Sequence, residues 1–445
     1  MKKLFTTLSN IWKIEDLRVR ILNTLLFLLI YRVGSFVVLP GVDANVLHNQ
    51  TAKEGLLGLL NMFAGGSFSR ASIFALGVMP YISASIVVQL LGIAVPQFQK
   101  MQKEGESGQK KLNQITRYLT VIITALQAVA YVRSQITPDA KIMAEPLFTI
   151  SSTLILTAGT LFVMWLGEKI TDKGIGNGIS LIIMVGIIAS LPGGLIQEFA
   201  SRMEGNGGLI PFLVELIALF FVVIFTILIV QGTRKIPVQY AKKIVGNKQY
   251  GGVRQYIPLK VNAAGVMPII FAQAIMFIPA TMGQFFPSIQ GSFLTQLSNY
   301  TSVAYNVTFA IMIIAFTFFY TAITVNPVQM SDDMKKNGGF IPGIKPGKTT
   351  GDFIDAVISK ITLPGSIFLA IIAILPSFAS KLGVNSQFAH FYGGTSLLIL
   401  VGVVLDTLQQ IESHLLMRHY DGLMKSGRVK GRSTPIAANT AGPGI

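Results

Sequence analysis

The tetrapeptide Gly-Val-Met-Pro occurs at residues 77–80 and again at residues 265–268. A second match pairs Gly-Ile-Ser-Leu-Ile-Ile-Met-Val-Gly at residues 178–186 with Gly-Thr-Ser-Leu-Leu-Ile-Leu-Val-Gly at residues 394–402, and six of the nine positions are identical. Apolar sequences often match by chance, so either pair alone is a weak signal. Together they relate two halves of the chain in one register, which predicts an internal repeat.

The composition around these motifs is that of a membrane protein. Hydrophobic residues make up 51% of the chain and charged residues 13%, whereas soluble proteins carry about 25% charged residues. The chain has no cysteine, which excludes disulfides and thiolate metal sites. No cleavable signal peptide is expected, because the first apolar segment is too long and lacks a small-residue cleavage pattern. Ten segments are long and apolar enough to cross a bilayer: 21–39, 75–95, 118–136, 148–167, 176–191, 211–230, 264–281, 303–325, 361–379 and 391–411.

Positive charge is concentrated on one side of these segments. With the N-terminus in the cytoplasm, 29 of the 36 Lys and Arg residues fall on the cytoplasmic side and six fall on the other. The remaining one, Arg32, lies within the first segment. By the positive-inside rule this distribution predicts that both termini are cytoplasmic.

The matches pair the second segment with the seventh and the fifth with the tenth, so the repeat contains five segments and its two copies run in opposite directions. Such inverted repeats place their functional site near the membrane midplane. The alternative is that the shared glycines only permit close helix packing. Pro80 and Pro268 are expected to remove a backbone hydrogen bond at matching places within two helices.

The predicted fold is an all-α membrane protein with ten transmembrane helices in two inverted five-helix halves. The division of the chain is predicted as a cytoplasmic N-terminal segment, an N-terminal half, a C-terminal half with two cytoplasmic loops, and a cytoplasmic tail whose last part, Ser433 to Ile445, is expected to be disordered. These parts are 1–20, 21–200, 201–411 with loops 231–263 and 326–360, and 412–445.

The connection between the first two segments contains an unusual apolar stretch at residues 56–63, followed by Ala64-Gly65-Gly66. It is too short to span a bilayer and too apolar for water. One interpretation is an interfacial or buried packing helix. The other is a re-entrant element, which requires surrounding protein or a cavity.

The predicted midplane contains few charged or strongly polar side chains. Only Arg32, Glu215 and Asp406 carry charge in the interiors of the segments, and each lies away from the middle of its segment, where its side chain could snorkel to the interface. No catalytic constellation, metal site or cofactor site is found, so an enzyme is not expected. If the aliphatic residues around the repeat motifs converge, they form an apolar constriction that excludes water and ions. Any one of these aliphatic residues could instead face lipid or pack in the protein core. They are Val78, Ile82, Ile179, Ile183, Ile270 and Ile399.

The predicted cytoplasmic loops carry two further signals. Loop 231–263 holds seven cations and no acidic residue, a pattern that favours anionic lipid headgroups or an RNA backbone. Residues 337–347 are rich in Gly and Pro with Phe340 and Ile341 among them, which indicates a rigid docking surface for a large partner.

Several longer motifs resemble the SecY/Sec61-alpha family of protein-conducting channels over nearly the whole chain. The stretches that carry the resemblance are 69–77, 79–86, 103–108, 164–168, 174–180, 240–242 and 393–399. The resemblance implies an hourglass pore in which the six aliphatic residues form a ring. It also implies a lateral gate between helices 2 and 3 and helices 7 and 8, with Ser83 and Gln89 as polar lining.

Within the family, residues 56–69 match the plug that closes the pore. Its apolar residues would be Leu56, Leu59, Leu60, Met62, Phe63 and Phe68. The resemblance also assigns a basic surface that binds the ribosome and the SecA motor: Arg234, Lys235, Lys242, Lys243 and Lys345. Lys345 stands where the family usually has arginine, which keeps the charge but loses the bidentate fork. Val78 replaces the more frequent isoleucine.

The implied function is the central channel of the Sec translocon in the bacterial cytoplasmic membrane, which passes unfolded secretory proteins and inserts membrane proteins laterally. The implied partners are SecE and SecG, SecA, the ribosome through 23S rRNA and exit-site proteins, SecDF, YidC, translocating polypeptides and membrane lipids. The alternative is a secondary transporter with an inverted five-helix repeat, which would need a polar or charged midplane site.

Overall fold

A computed structural model describes residues 12, 14–43, 56–205, 208–240, 243–245, 248–250, 254–285, 296–297 and 299–425. Each of the ten predicted segments overlaps a helix in it. These helices are α1 Glu15–Gly34, α3 Met79–Ala94, α5 Glu106–Gln135, α6 Glu145–Lys173, α7 Gly178–Glu204, α8 Leu209–Gln231, α9 Met267–Phe285, α10 Val303–Thr324, α12 Lys348–Lys381 and α14 Gly394–Lys425. Shorter helices lie between them: α2 Leu56–Phe63, α4 Pro96–Lys103, α11 Pro327–Lys336, α13 Ser386–Ala389 and two 3₁₀ turns, Pro138–Ala140 and His390–Tyr392.

Seven helices of the described part are long and apolar enough to cross a membrane by themselves: α5, α6, α7, α8, α12, α14, and α10 together with its continuation α11. The bent pair α3 and α4 would make an eighth span. Helix α1 falls short because Arg18, Arg20 and Arg32 lie within its 20 residues. The chain is a multi-pass membrane protein.

The repeat motifs lie at the beginnings of helices. Helix α3 begins at Met79 and α9 begins at Met267, so Pro80 and Pro268 both occupy the first turn. There the missing N–H has no helical partner to lose, and the expected interruption within two helices is therefore wrong. The glycine that opens each motif is left-handed, with φ of +54° at Gly77 and +63° at Gly265, a conformation that glycine adopts without strain.

The basic loop after α8 forms strands, which the all-α prediction did not include: β1 Thr233–Tyr240, β2 Lys243–Val245, β3 Lys248–Tyr250 and β4 Arg254–Lys260. A further strand, β5 Gly339–Phe340, follows α11. The strands pair in two antiparallel sheets, one in the order β4-β1-β5 and one of β2 with β3. Ile236 and Val238 point to one face of β1 and pack on Met334 and Ile354, so alternation within β1 builds a core of its own.

Four predicted boundaries differ from the ends of the helices. Helix α1 begins at Glu15 inside the predicted segment 1–20, and α7 continues beyond residue 200 to Glu204. Helix α12 begins at Lys348 inside the predicted loop 326–360, and α14 continues past residue 411 to Lys425. The expectation for Ser433–Ile445 falls outside the described residues.

Candidate functional site

The six aliphatic residues that flank the repeat motifs meet in one hydrophobic cluster. Val78, Ile183 and Ile399 are buried, with 4–5% of each residue exposed. Ile82, Ile179 and Ile270 are partly buried and pack against them. The cluster therefore joins α3 and α7 of the first half to α9 and α14 of the second. A lipid-facing position is excluded for the three buried members.

A small cavity of about 20 Å³ lies at the centre of this cluster. Its lining consists of aliphatic, aromatic and uncharged polar side chains, and no charged side chain is among the described residues that form it. The lining residues are Phe63, Met79, Ile82, Ser83, Ile183, Ile270, Gln273, Ala274 and Ile399. An apolar constriction this narrow excludes hydrated ions by dewetting.

The end of helix α2, the predicted plug, packs against the constriction. Met62 and Phe63 are buried in the same cluster as the six aliphatic residues, and Phe63 lines the central cavity. Burial of Met62 and Phe63 excludes an interfacial position for the end of this helix and agrees both with a buried packing helix and with a re-entrant element. The side chains of Leu56, Leu59 and Leu60 lie outside the described residues.

Phe68, the last predicted plug residue, is buried in a neighbouring cluster. Its ring meets the ring of Tyr131 edge to face at 4.8 Å, and the Tyr131 hydroxyl donates to the Phe68 carbonyl oxygen at 2.5 Å. This contact ties the segment after the plug helix to α5.

Two arginines hold the end of the plug. Arg32 Nη1 on α1 donates to the Gly65 carbonyl oxygen at 3.2 Å, and Arg70 Nη2 donates to the same oxygen at 3.0 Å. Both guanidinium groups also lie over the ring of Phe36, at 5.3 Å and 4.5 Å from its centre. The expectation that Arg32 snorkels is wrong, because its partner is a backbone carbonyl of the plug. Sequence reasoning did not identify this role, which no local pattern signals.

The other two charged residues within the segments, Glu215 and Asp406, differ in their surroundings. Glu215 on α8 is partly buried and forms an ion pair with Arg202, whose Nη2 lies 2.5 Å from Glu215 Oε1. The snorkelling expectation is therefore wrong for Glu215 too, because a buried guanidinium is its partner. Asp406 is exposed on α14.

Of the two predicted gate residues, only Ser83 reaches the central cavity. Its hydroxyl donates to the Met79 carbonyl oxygen at 3.1 Å. Gln89 is partly buried farther along α3, and its Nε2 donates to Ser85 Oγ at 3.4 Å. Gln273 on α9 lines the cavity together with Ser83 and is buried, with 5% exposed. Sequence reasoning missed Gln273, although it is the only polar residue between positions 267 and 276.

The predicted basic surface is described in part. Arg234 and Lys235 are exposed on β1, where they pair in register with Leu259 and Pro258 of β4. Lys345 is exposed in the turn that follows β5, and its carbonyl oxygen accepts a hydrogen bond from Thr350 Oγ1 at 2.8 Å. Because β5 pairs with β1, the two loops form one surface. Lys242 and the side chain of Lys243 lie outside the described residues.

Comparison with known proteins agrees with this architecture. A sequence model of the SecY family matches residues 72–408. The chain is 43% identical over 432 residues to the protein translocase subunit SecY of Halalkalibacterium halodurans, covering 95% of this chain and 100% of that protein.

Solved structures share the fold. A structure described as a protein conducting channel has a TM-score of 0.65 and 18% identity and covers 89% of this chain and 92% of its own. Sec61 in a canine ribosome–channel complex from the endoplasmic reticulum has a TM-score of 0.61 and 18% identity, with the same coverage. With a family model matching most of its length and a relative that aligns nearly end to end, the chain belongs to the SecY family.

Proposed function

We propose that this protein is the protein-conducting channel of the Sec translocon, a passive pore for unfolded polypeptides and not an enzyme. The observation that carries the proposal is the constriction of six aliphatic residues from both halves, closed by a helix of the chain itself. An aliphatic ring makes no specific hydrogen bonds, so it accommodates any side chain that passes. When the plug returns, the same ring limits the leak of ions.

The secondary transporter is the weaker alternative. A transporter of ions or small polar solutes binds its substrate with charged or strongly polar groups near the midplane. Among the described residues that line the central cavity, Ser83 and Gln273 are the only polar ones. Its volume of about 20 Å³ is too small for a metabolite.

The lateral gate is proposed between α3 and α5 on one side and α9 and α10 on the other. Support comes from the central cavity, whose lining includes Ser83 of α3 and Gln273 of α9. Apolar segments of a translocating chain would leave through this seam into lipid, with Ser83 and Gln89 among its polar residues.

The sheet surface is proposed as the docking site for the ribosome and for SecA, with Arg234, Lys235, Lys242, Lys243 and Lys345 as its cations. Exposed cations on a rigid hairpin suit the phosphate backbone of 23S rRNA, and ribosomal exit-site proteins would contact the same surface. SecE and SecG are proposed as subunits of the same complex, with SecDF and YidC as further partners. The distribution of Lys and Arg supports placement in the bacterial cytoplasmic membrane with both termini in the cytoplasm.

A crosslinking experiment tests the pore directly, because the chain has no cysteine of its own. Single cysteines replace Ile183 or Ile399, and a secretory substrate with one cysteine is stalled during translocation. Both positions should crosslink to the substrate. Ile188 on the same helix α7 is 45% exposed and is the matched control, which should not crosslink. Absence of crosslinks at both ring positions would show that the polypeptide takes another path.

A charge reversal tests the docking surface. Arg234→Glu with Lys235→Glu should weaken ribosome binding at physiological salt, and the loss should shrink as salt rises. Lys335→Glu with Lys336→Glu, on exposed residues of the nearby helix α11, is the control. Unchanged ribosome affinity in the first variant would favour the lipid-binding interpretation of these cations.

A further inference from the structure

A buried ionic cluster lies where α7 meets the second half of the protein. Arg202 Nε donates to Glu198 Oε1 at 2.9 Å, and Arg202 Nη2 donates to Glu215 Oε1 at 2.5 Å. The three side chains are between 1% and 11% exposed. Such burial gives any uncompensated charge in the cluster a large desolvation free energy.

The cluster spans the two halves. Glu198 and Arg202 belong to α7, the last helix of the first half, and Glu215 belongs to α8, the first helix of the second. Arg202 Nη2 also donates to the Gly383 carbonyl oxygen at 2.8 Å, and the Asn385 N–H donates to Glu198 Oε2 at 2.7 Å. These last two contacts add the connection between α12 and α14, so one cluster holds three elements at the junction of the halves.

The charges of the cluster do not balance. It contains two carboxylates and one guanidinium, and the connection at 383–385 contributes only backbone groups. The other charged side chains near these elements, Glu204 and Lys381, are exposed. With every group ionised, the described part of the cluster would carry one uncompensated negative charge. A buried carboxylate in this situation takes up a proton rather than remain charged.

Two buried oxygens without a hydrogen-bond partner among the described residues indicate where that proton resides. Glu215 Oε2 is buried and has no hydrogen-bond partner among the described residues. The hydroxyl of Tyr392, in the turn before α14, is buried in the same way, and the residue is only 7% exposed. The turn His390–Tyr392 contacts α8, the helix that carries Glu215.

We propose that the Glu198–Arg202–Glu215 cluster is a proton-binding site that holds one proton on Glu215 at neutral pH. With the proton on Oε2, Glu198 and Arg202 balance each other, and the neutral carboxyl still accepts the Arg202 hydrogen bond through Oε1. Loss of the proton leaves a second carboxylate beside Glu198 and weakens the junction between the halves.

Infrared spectroscopy of the full-length protein in lipid nanodiscs tests the proposal. The carbonyl stretch of a protonated carboxyl should be present at neutral pH in the wild type and absent in Glu215→Gln. It should also be absent in Glu198→Gln, because Glu215 then ionises and pairs alone with Arg202. Glu204→Gln, an exposed change on the same helix, should leave the band unchanged. Conservative Glu-to-Gln changes keep the size of the side chain, and size-exclusion profiles confirm folding.

Either of two results would overturn the proposal. One is a wild type without a protonated carboxyl band at neutral pH. The other is a band that persists in Glu215→Gln at wild-type intensity, which would assign the proton elsewhere. As a second readout, the thermal stability of the wild type should fall as pH rises above about 6.5, where His390 no longer titrates, since the folded state holds the extra proton. Glu215→Gln should lose this dependence, whereas equal pH profiles in both proteins would contradict the site.

Discussion

Gly186 of α7 lies directly against the backbone of Phe63 at the end of the plug helix, so that a Cβ added to Gly186 would lie 2.3 Å from the Phe63 carbonyl oxygen. The same Cβ would be 3.1 Å from the Gly65 nitrogen. Contacts this close leave no room for any side chain. The closed position of the plug therefore depends on a glycine in a different helix.

Gly186→Ala should displace the plug and open a leak. The added methyl group forces the backbone of residues 63–65 away from α7, at a cost of about 1–3 kcal/mol to the closed state. The measurement is ion conductance of the reconstituted protein without substrate, which should rise. Gly193→Ala is the matched control on the same helix, because a Cβ there meets no atom within 4 Å. Equal conductance in both variants would refute the role of this contact.

Arg32→Met and Arg70→Met should each loosen the plug. Each removes a charged hydrogen bond to the Gly65 carbonyl oxygen, worth about 1.5–3 kcal/mol. The readout is the maleimide labelling rate of a cysteine placed at the buried residue Met62, which should increase in both variants. Since the arginines share one acceptor, the double variant should show less than the sum of the two effects.

Arg133→Met provides the control for the arginine experiment, because Arg133 is exposed at the end of α5. In Arg133→Met, the maleimide labelling rate of the cysteine at position 62 should equal the rate in the parent protein. If the labelling rates of the Arg32 and Arg70 variants also stay at the parent value, the two arginines do not retain the plug.

Ile183→Asn should make the constriction conduct ions even with the plug present. An amide in the aliphatic cluster provides hydrogen-bonding groups that water can occupy, which removes the dewetting barrier. Ile183→Leu keeps the volume and apolar character and should keep conductance at the wild-type level. The substitution to Asn should also lower stability by about 1–3 kcal/mol, because the buried amide lacks partners. If Ile183→Asn conducts no more ions than the wild type, Ile183 lies outside the barrier.

His390 should make the protein sensitive to acid. Burial lowers the pKa of its imidazole to about 4, whereas the unfolded chain protonates histidine near about pH 6.5. The unfolded state thus binds more protons between these values, so stability is complete above about pH 6.5 and falls as pH approaches 4, by roughly 3 kcal/mol in total. Unfolding measured against pH should show this fall in the wild type and lose most of it in His390→Gln.

The control for His390 is His414→Gln, a change at a partly exposed position on α14. It should keep the acid sensitivity of the wild type. If the pH profile of His390→Gln matches that of the wild type, other groups cause the acid effect.

The sequence predicted the central features that depend on local patterns. Apolar length placed all ten helices, and the repeat at residues 77–80 and 265–268 placed two of them in matching positions of the halves. The same logic singled out Ile183 and Ile399, which the fold brings into one cluster. These predictions succeeded because hydrophobicity and chain direction are properties of each segment by itself.

Other features escaped prediction because they depend on contacts distant in sequence. Arg32 was placed where its side chain could snorkel, but the sequence did not show that the Gly65 carbonyl oxygen would be its partner at 3.2 Å. Pro80 was expected inside a helix, although α3 begins only one residue before it. The sheet at residues 233–260 was missed because its alternation is short and lies in a basic loop.

The order of apolar and charged residues is therefore sufficient to predict the membrane class, the ten helices, the inverted repeat and an uncharged midplane. The groups that pack against the pore ring and join the halves could be identified only from the three-dimensional fold. The contact of Gly186 with Phe63 and the pairing of Arg202 with Glu215 join residues on different helices. Such contacts depend on how helices pack, and packing brings together polar groups that no single segment shows as partners.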